Sequence, residues 1–366
     1  MKKMIGLICI FVLSGTINLE AKNISINYKN EIFFNNNQFS LMSLLEEEYS
    51  ELSTDISKDF HVEYDKEEEF LVELFGGKFF IGYIKENEQN LTSNDETLSF
   101  FIEDQQENDG YSQEQYNIEL KSISQLLGGV IIGGKILSSD KTSLTINSKI
   151  LEGLELIWRD YTGEINAKQD QKDYYASGTK RFINTNLNQE MSLADKFDSS
   201  GYSLGGSFKW EIKDNLELNL VAENIYSKIK WNNVYTESQS LNEIIIKENN
   251  VRVSNINFPY DKDERRWGCE DYITELTPEY DLFLTSHRSQ LGIFYREEVY
   301  PYFNYKLLVK PIMIKTGFYG EFLSLALAYK GLNLNLKTKN IDLFSSSGVL
   351  VDLSFKIEFW NKEKKL

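Results

Sequence analysis

The feature that most constrains this chain is a recurring alternation of apolar and polar residues joined by turn residues, clearest in its last third. Val351, Leu353, Phe355, Ile357 and Phe359 alternate with Asp352, Ser354, Lys356 and Glu358. Upstream, Leu332, Leu334 and Leu336 alternate with Asn333, Asn335 and Lys337, and Leu323, Leu325, Leu327 and Tyr329 alternate with Ser324, Ala326 and Ala328. Side chains on a strand point to opposite faces with period two, so each segment has one apolar and one polar face. Lys330-Gly331 between two of these runs supplies a tight hairpin turn. The pattern recurs from Tyr202 to Ile212 and, after Lys213-Asp214-Asn215, from Leu216 to Ala222. One such run proves little, but a series linked by turns specifies an antiparallel sheet.

Strand length separates two kinds of sheet. The clearest segments run to about ten residues, enough at a 45° tilt to cross the apolar thickness of a bilayer, whereas soluble sheet strands average about five or six. Lys, Glu, Asp and Asn sit mid-strand on the polar face, as a water-filled lumen requires. We therefore expect an all-β fold, a transmembrane antiparallel β-barrel of about 14 strands (range 12–16). Val351, Leu353, Phe355, Ile357, Phe359, Leu332, Leu334 and Leu336 are expected to face lipid. Asp352, Ser354, Lys356 and Glu358 are expected to face the lumen.

The N-terminus accounts for the route to a membrane. Lys2 and Lys3 precede an apolar run from Met4 to Ile17, and Ala21 closes a short polar stretch, the layout of a secretory signal peptide over residues 1–21. Leu7-Ile8-Cys9 would leave only a stub of apolar core as a lipoprotein box. Residues 22–366 are then expected to form a single barrel domain, with Phe39 to Asp59 either a periplasmic or plug segment or simply a loop, and Asn361 to Leu366 a C-terminal tail. Cleavage leaves Cys269 as the one cysteine, so no intrachain disulfide is possible.

Charge narrows the partners. The chain has 39 Lys+Arg against 56 Asp+Glu, a net of −17, and losing Lys2, Lys3 and Glu20 leaves 37 against 55, a net of −18. Such a surface repels nucleic acid. Outer-membrane lipid, the barrel-assembly machinery and a hydrophobic ligand are the partners that fit. The runs Glu46-Glu47-Glu48, Glu67-Glu68-Glu69 and Glu103-Asp104 read as solvated loops, or as cation-attracting groups at a pore mouth. Four prolines, 21 tyrosines and 23 phenylalanines suit strands.

The first half is read more coarsely. Phe70 to Phe75 and Phe79 to Ile84 flank Gly76-Gly77, and Leu144 to Ile150 and Leu154 to Ile165 flank Glu152-Gly153, so two hairpins are expected. Gly128, Gly129, Gly133 and Gly134 lack the Lys-Ser/Thr of a phosphate loop and suggest close strand packing. With the C-terminus periplasmic, residues 165 to 200, Asn232 to Asn242, Pro259 to Tyr272 and Lys339 to Ser347 become external loops, and Asn249-Asn250 a hairpin.

The sequence offers no catalytic residue, cofactor site or metal site to assign. There is no Gly-x-Ser-x-Gly elbow and no His-Glu-x-x-His motif. His61, Glu63 and Asp65 share one strand face, where a solvated polar face is the simpler reading than a metal. His287 with Ser286 or Ser289 is the one place to look for a lipase-type group, and Arg265-Arg266-Trp267 reads as a loop charge pair.

Gly201-Tyr202-Ser203-Leu204-Gly205-Gly206, Asn215-Leu216-Glu217-Leu218 leading into Val221-Ala222-Glu223-Asn224-Ile225, Arg288-Ser289-Gln290-Leu291-Gly292, Leu325-Ala326-Leu327-Ala328-Tyr329 and the terminal strand form a recognisable series. Through them the chain from Gly201 to Trp360 resembles the C-terminal half of long-chain fatty-acid-transporter-type outer-membrane barrels, with the conjugal-transfer-like and secretion-associated groups. The resemblance implies a barrel of about 14 strands and carries over no ligand. The Asn-Pro-Ala-type hatch segment of those transporters is absent, and the chain runs on past Phe359-Trp360 instead of ending on an aromatic. The function expected is a non-enzymatic barrel of the cell outer membrane that transports or binds a hydrophobic or small solute. The alternatives are a membrane-anchored, adhesin-like surface or secretion-associated protein, or a soluble exported β-sandwich.

Overall fold

A computed structural model describes residues 24–37, 59–105, 111–167, 174–186, 198–246, 265–341 and 346–359. The signal segment, most of the Phe39 to Asp59 stretch, the Asn249-Asn250 hairpin and the tail Asn361 to Leu366 lie outside the described residues. Sixteen strands follow in chain order: β1 (Ile24–Asn36), β2 (Phe60–Leu74), β3 (Phe79–Ser93), β4 (Gln115–Ser138), β5 (Thr142–Ala167), β6 (Tyr174–Asn184), β7 (Asp198–Lys213) and β8 (Leu216–Ile246). The second half contributes β9 (Arg265–Thr274), β10 (Glu279–Ser286), β11 (Ser289–Arg296), β12 (Glu298–Val309), β13 (Ile312–Tyr319), β14 (Phe322–Tyr329), β15 (Leu332–Thr338) and β16 (Gly348–Phe359). One helix, α1 (Asp95–Gln105), lies between β3 and β4. No helix among the described residues is long and apolar enough to cross a membrane.

The sheet closes on itself. β16 pairs with β1, β5 with β7 and β8 with β10, so 14 antiparallel strands form a complete ring, with β6 and β9 extending it beside the upper parts of β5 and β8. The ring agrees with the strand number expected from the sequence and rules out an open β-sandwich. Tight turns gather at one end: Lys330-Gly331 (φ +46° and +87°), Asp214-Asn215, His287-Arg288 and Gly76-Gly77. Both ends of the described chain lie there too, since Ile24 pairs with Phe359. The opposite end carries the longer connections, except for tight turns at Glu297 and at Gly320-Glu321.

The ring has a short wall and a tall wall. β10, β11, β13, β14 and β15 have seven or eight residues, whereas β4, β5 and β8 have 24, 26 and 31. The tall wall and the strands beside it correct four sequence expectations. Glu152-Gly153 is no hairpin: it lies inside the single strand β5, where a bulge at Leu154 shifts the register against β4. A Cβ on Gly153 would stand 2.3 Å from the Trp231 indole, so this glycine leaves room for a ring and does not turn the chain. Asn232 to Asn242 is strand β8, paired to β6 and β9, and residues 165 to 200 contain β6 and the start of β7. Of Pro259 to Tyr272, the described part belongs to β9.

Large apolar side chains lie on the outside, a pattern inverted from that of a soluble protein. Leu323, Leu325, Leu327, Leu332, Leu334, Leu353 and Ile357 are all exposed. Cross-strand register aligns them, with Leu327 opposite Leu334 and Leu334 opposite Leu353. On β1 to β3 the outward row turns polar toward the loop end, where Asn30, Glu68 and Lys85 stand opposite one another. Helix α1 packs Leu98 and Ile102 against Phe60 at that end, capped by Asn94 Oδ1 accepting from Thr97 N at 3.0 Å.

Inside the tall wall, Trp231, Ile229, Val234, Leu156, Leu127 and Ile84 form a fully buried core, and Trp231 Nε1 donates to Thr274 Oγ1 at 2.9 Å. Trp231→Ala is expected to cost about 3–5 kcal/mol through lost packing and the cavity left behind. Gly153→Val, by driving a branched side chain into the indole, is expected to lower stability as well. Both are checked by the temperature at which folded mobility is lost on semi-native gels.

Candidate functional site

Strand alternation points every second residue of the ring inward, and the interior has three levels. At the loop end lies the apolar core around Trp231. Below it is a cavity of ≈180 Å³ walled by charged groups, and toward the turn end a polar cavity of ≈400 Å³.

The segment Glu275 to Pro278, between β9 and β10, folds inward as a strap. Ser227 Oγ accepts from Leu276 N at 2.8 Å, and Asn224 Nδ2 donates to Thr277 O at 3.2 Å, anchoring the strap to β8. On the facing strands, Gln125 Nε2 donates to Glu275 O at 3.3 Å, and Thr277 Oγ1 donates to Glu88. Leu276 is buried in the Trp231 core. The strap therefore links β8 to the inner faces of β3 and β4 and helps fill the upper lumen.

The charged level has two hubs. Lys149 on β5 is 3% exposed and pairs with Glu86 at 2.5 Å and Glu67 at 3.7 Å, while Lys29 on β1 holds Glu67 at 2.9 Å. Arg296, at the end of β11, is 5% exposed and meets Glu63 at 2.6 Å, Asp65 at 3.0 Å and Glu279 at 2.9 Å. Its guanidinium lies 5.3 Å from the Phe33 ring centre. Eight carboxylates and three basic side chains wall the upper cavity. Glu67 and Glu69 are therefore inward-facing strand residues, not part of a solvated loop.

The lower cavity mixes aromatic faces with polar groups. Tyr302 and Tyr319 stack at 5.3 Å, Tyr302 Oη donates to Asp281 at 2.8 Å, and Lys337 Nζ sits 3.4 Å from the Tyr319 ring centre. Lys315, Asn304, Asn333 and Asn335 complete much of the wall. Phe33, Tyr300 and Phe322 pack beside Arg296 as a buried aromatic cluster.

Among the residues singled out from sequence, Asp352 and Ser354 line this lower cavity, and Lys356 turns toward Glu73 at 3.1 Å and Glu358 at 3.8 Å. Leu332, Leu334, Leu353 and Ile357 are exposed, whereas Val351, Leu336 and Phe355 are half-buried, Phe355 against Tyr28 at 5.4 Å. The backbone of Phe359 pairs with Ile24, and its side chain lies outside the described set. His61 and Glu63 do share a face, and with Glu297 they bring ligand atoms within 4.8 Å of one another. Glu63 already holds Arg296 at 2.6 Å, so its carboxylate is committed to a guanidinium. His287 occupies the β10–β11 turn, where the Ser286 and Ser289 hydroxyls bond each other at 2.6 Å, an ordinary turn contact. Cys269 is an exposed free thiol on β9. Arg265-Arg266-Trp267 open β9 instead of forming a loop.

Arg296 and the strap were missed. Nothing local to Arg296 in the sequence signals that its carboxylate partners lie on β2 and at the start of β10.

No family model matches the chain, and the comparison with curated proteins returned no match. Among solved structures the chain is similar to a mutant of the monoaromatic hydrocarbon channel TodX, at 8% identity and a TM-score of 0.44, over 92% of this chain and 90% of that one. It is similar to the Ralstonia pickettii toluene transporter TbuX at 6% identity and a TM-score of 0.33, over 93% and 90%. The Escherichia coli outer membrane protease OmpT follows at 10% identity and a TM-score of 0.26, over 94% and 100%. At these scores the functional reading rests on the geometry of this chain alone.

The excess of carboxylates in the upper cavity sets the sign of the field that any permeating ion meets. In planar bilayers under a KCl gradient, the reversal potential is expected to have the sign of cation selectivity. An anion-selective current would contradict this charge assignment.

Proposed function

We propose that this chain is a β-barrel of the cell outer membrane, without catalytic activity, that carries a hydrophobic or small solute through its interior. The observation that carries the reading is the closed ring of 14 strands whose apolar side chains point out and whose polar side chains enclose two cavities. Hydrocarbon cannot satisfy free strand edges, so a closed ring is the one β architecture that can span it, and an exposed apolar belt is stable only against lipid. In this reading the rows through Leu332, Leu334, Leu336, Val351, Leu353, Phe355, Ile357 and Phe359 contact lipid, and Asp352, Ser354, Lys356 and Glu358 contact the aqueous lumen. The turn end is periplasmic, residues 1–21 direct export, and the assembly machinery inserts the chain.

The lining favours a particular sort of solute. The stacked Tyr302 and Tyr319 rings offer flat apolar surface, while Asn, Lys and Asp groups offer polar contacts beside them. A compact molecule with an apolar body and a polar edge matches that mixture. Vesicles reconstituted with the barrel are expected to take up such solutes, a phenol or a short amphiphile, faster than protein-free vesicles. Uptake at the protein-free rate across a panel of small solutes would remove the transport reading.

A further inference from the structure

We infer that Arg296 is the gate residue of the interior path, holding it shut by a latch across the lumen. The inference rests on passage through the interior, as proposed above. β11, which carries Arg296, and β2, which carries Glu63 and Asp65, stand seven strands apart in either direction around the ring. They are opposite walls. Strands spaced about 4.8 Å and tilted about 40° would place opposite backbones of a circular 14-strand ring roughly 28 Å apart. An arginine and a carboxylate in contact span only about 15 Å between backbones, each side chain reaching roughly 5–7 Å. The opposite walls are therefore drawn together at this level.

Arg296 also binds Glu279, the first residue after the strap. One guanidinium thus joins the far wall, β10 and the exit of the strap, and Phe33 covers its face. The other basic hub behaves differently. Lys149 on β5 reaches Glu86 and Glu67 on β3 and β2 and, at 4.0 Å, Glu223 on β8, strands no more than three places from its own, and braces one wall. Among the described ion pairs of lysine and arginine, those of Arg296 alone cross between opposite walls. With the Trp231 core and strap filling the tall side, the latch closes what remains. Desolvation offsets much of the Coulomb attraction of a buried ion pair, so water that enters the latch recovers part of what its separation costs. A contact that spans the lumen and can be rehydrated suits a gate better than a brace.

The test is single-channel recording of the purified full-length barrel in KCl. Arg296→Gln is expected to raise conductance or open probability severalfold, while Glu298→Gln, in the same turn but outside the latch, leaves it at the wild-type level. A second variant, Glu63→Gln with Asp65→Asn, keeps Arg296 on Glu279 and is expected to raise conductance as well. Heat-modifiable mobility establishes which variants fold. Wild-type conductance in either folded latch variant would overturn the gate. Solute uptake by the same vesicles separates the two ideas. Uptake with no change in conductance removes the gate and leaves transport standing. Raised conductance with no uptake by any form leaves the gate standing and removes the transport reading.

Discussion

The pairing of β1 with β16 is the constraint on which the rest of the structure depends. Twelve residue pairs, from Ile24 with Phe359 to Asn35 with Gly348, convert a long antiparallel ribbon into a ring without edges. In water an open edge is an aggregation hazard, and in hydrocarbon it is a row of backbone groups with nothing to bond. Closure removes that cost and fixes which face is inside. Once the ring is shut, the period of two sends Lys29 and Glu31 inward and Tyr28 and Phe355 outward.

The two walls then divide the work. Five short strands of the second half have seven or eight residues, below both the ten or so expected of them and the about nine to eleven a tilted spanning strand needs, and their outward rows are leucine, isoleucine, valine and aromatic. The tall strands of the first half continue past that height, and there the outward face becomes polar while the inward face acquires the apolar core of Trp231, Leu127 and Leu156. The same strand is thus inverted below and ordinary above. The charged level lies where the two regimes meet, which is where lysines, an arginine and many carboxylates can be buried because they hold one another.

Where lipid-type alternation operates, the sequence was readable. Leu323 to Tyr329, Lys330-Gly331 and Leu332 to Lys337 form the hairpin expected of them, and Asp214-Asn215 turns where the alternation breaks. Above that zone the rule changes. Asn232 to Asn242 looks like a loop because a strand outside the apolar belt needs no apolar row, and it is nevertheless held by β6 and β9. Glu152-Gly153 imitates a turn because a glycine that admits an indole and a glycine that reverses the chain look alike in one dimension. Helix α1 went unread beside a strand-rich background, although Asn94 before Asp95 and Glu96 is a helix-capping pattern. Arg296 was illegible for a different reason: its role depends on which strands end up opposite, and only ring closure decides that.

Under the proposed function the outside of this ring meets lipid and the inside meets water. Nitroxide labels placed singly from Val351 to Ile357, in a Cys269→Ser background reconstituted into bilayers, test it most directly through collision with oxygen and with a water-soluble nickel complex. Labels at Leu353, Phe355 and Ile357 should be relaxed by oxygen, and those at Asp352, Ser354 and Lys356 by nickel, alternating residue by residue along β16. Nickel accessibility with no period of two, or with the opposite phase, would contradict a membrane-spanning barrel with its apolar face outward.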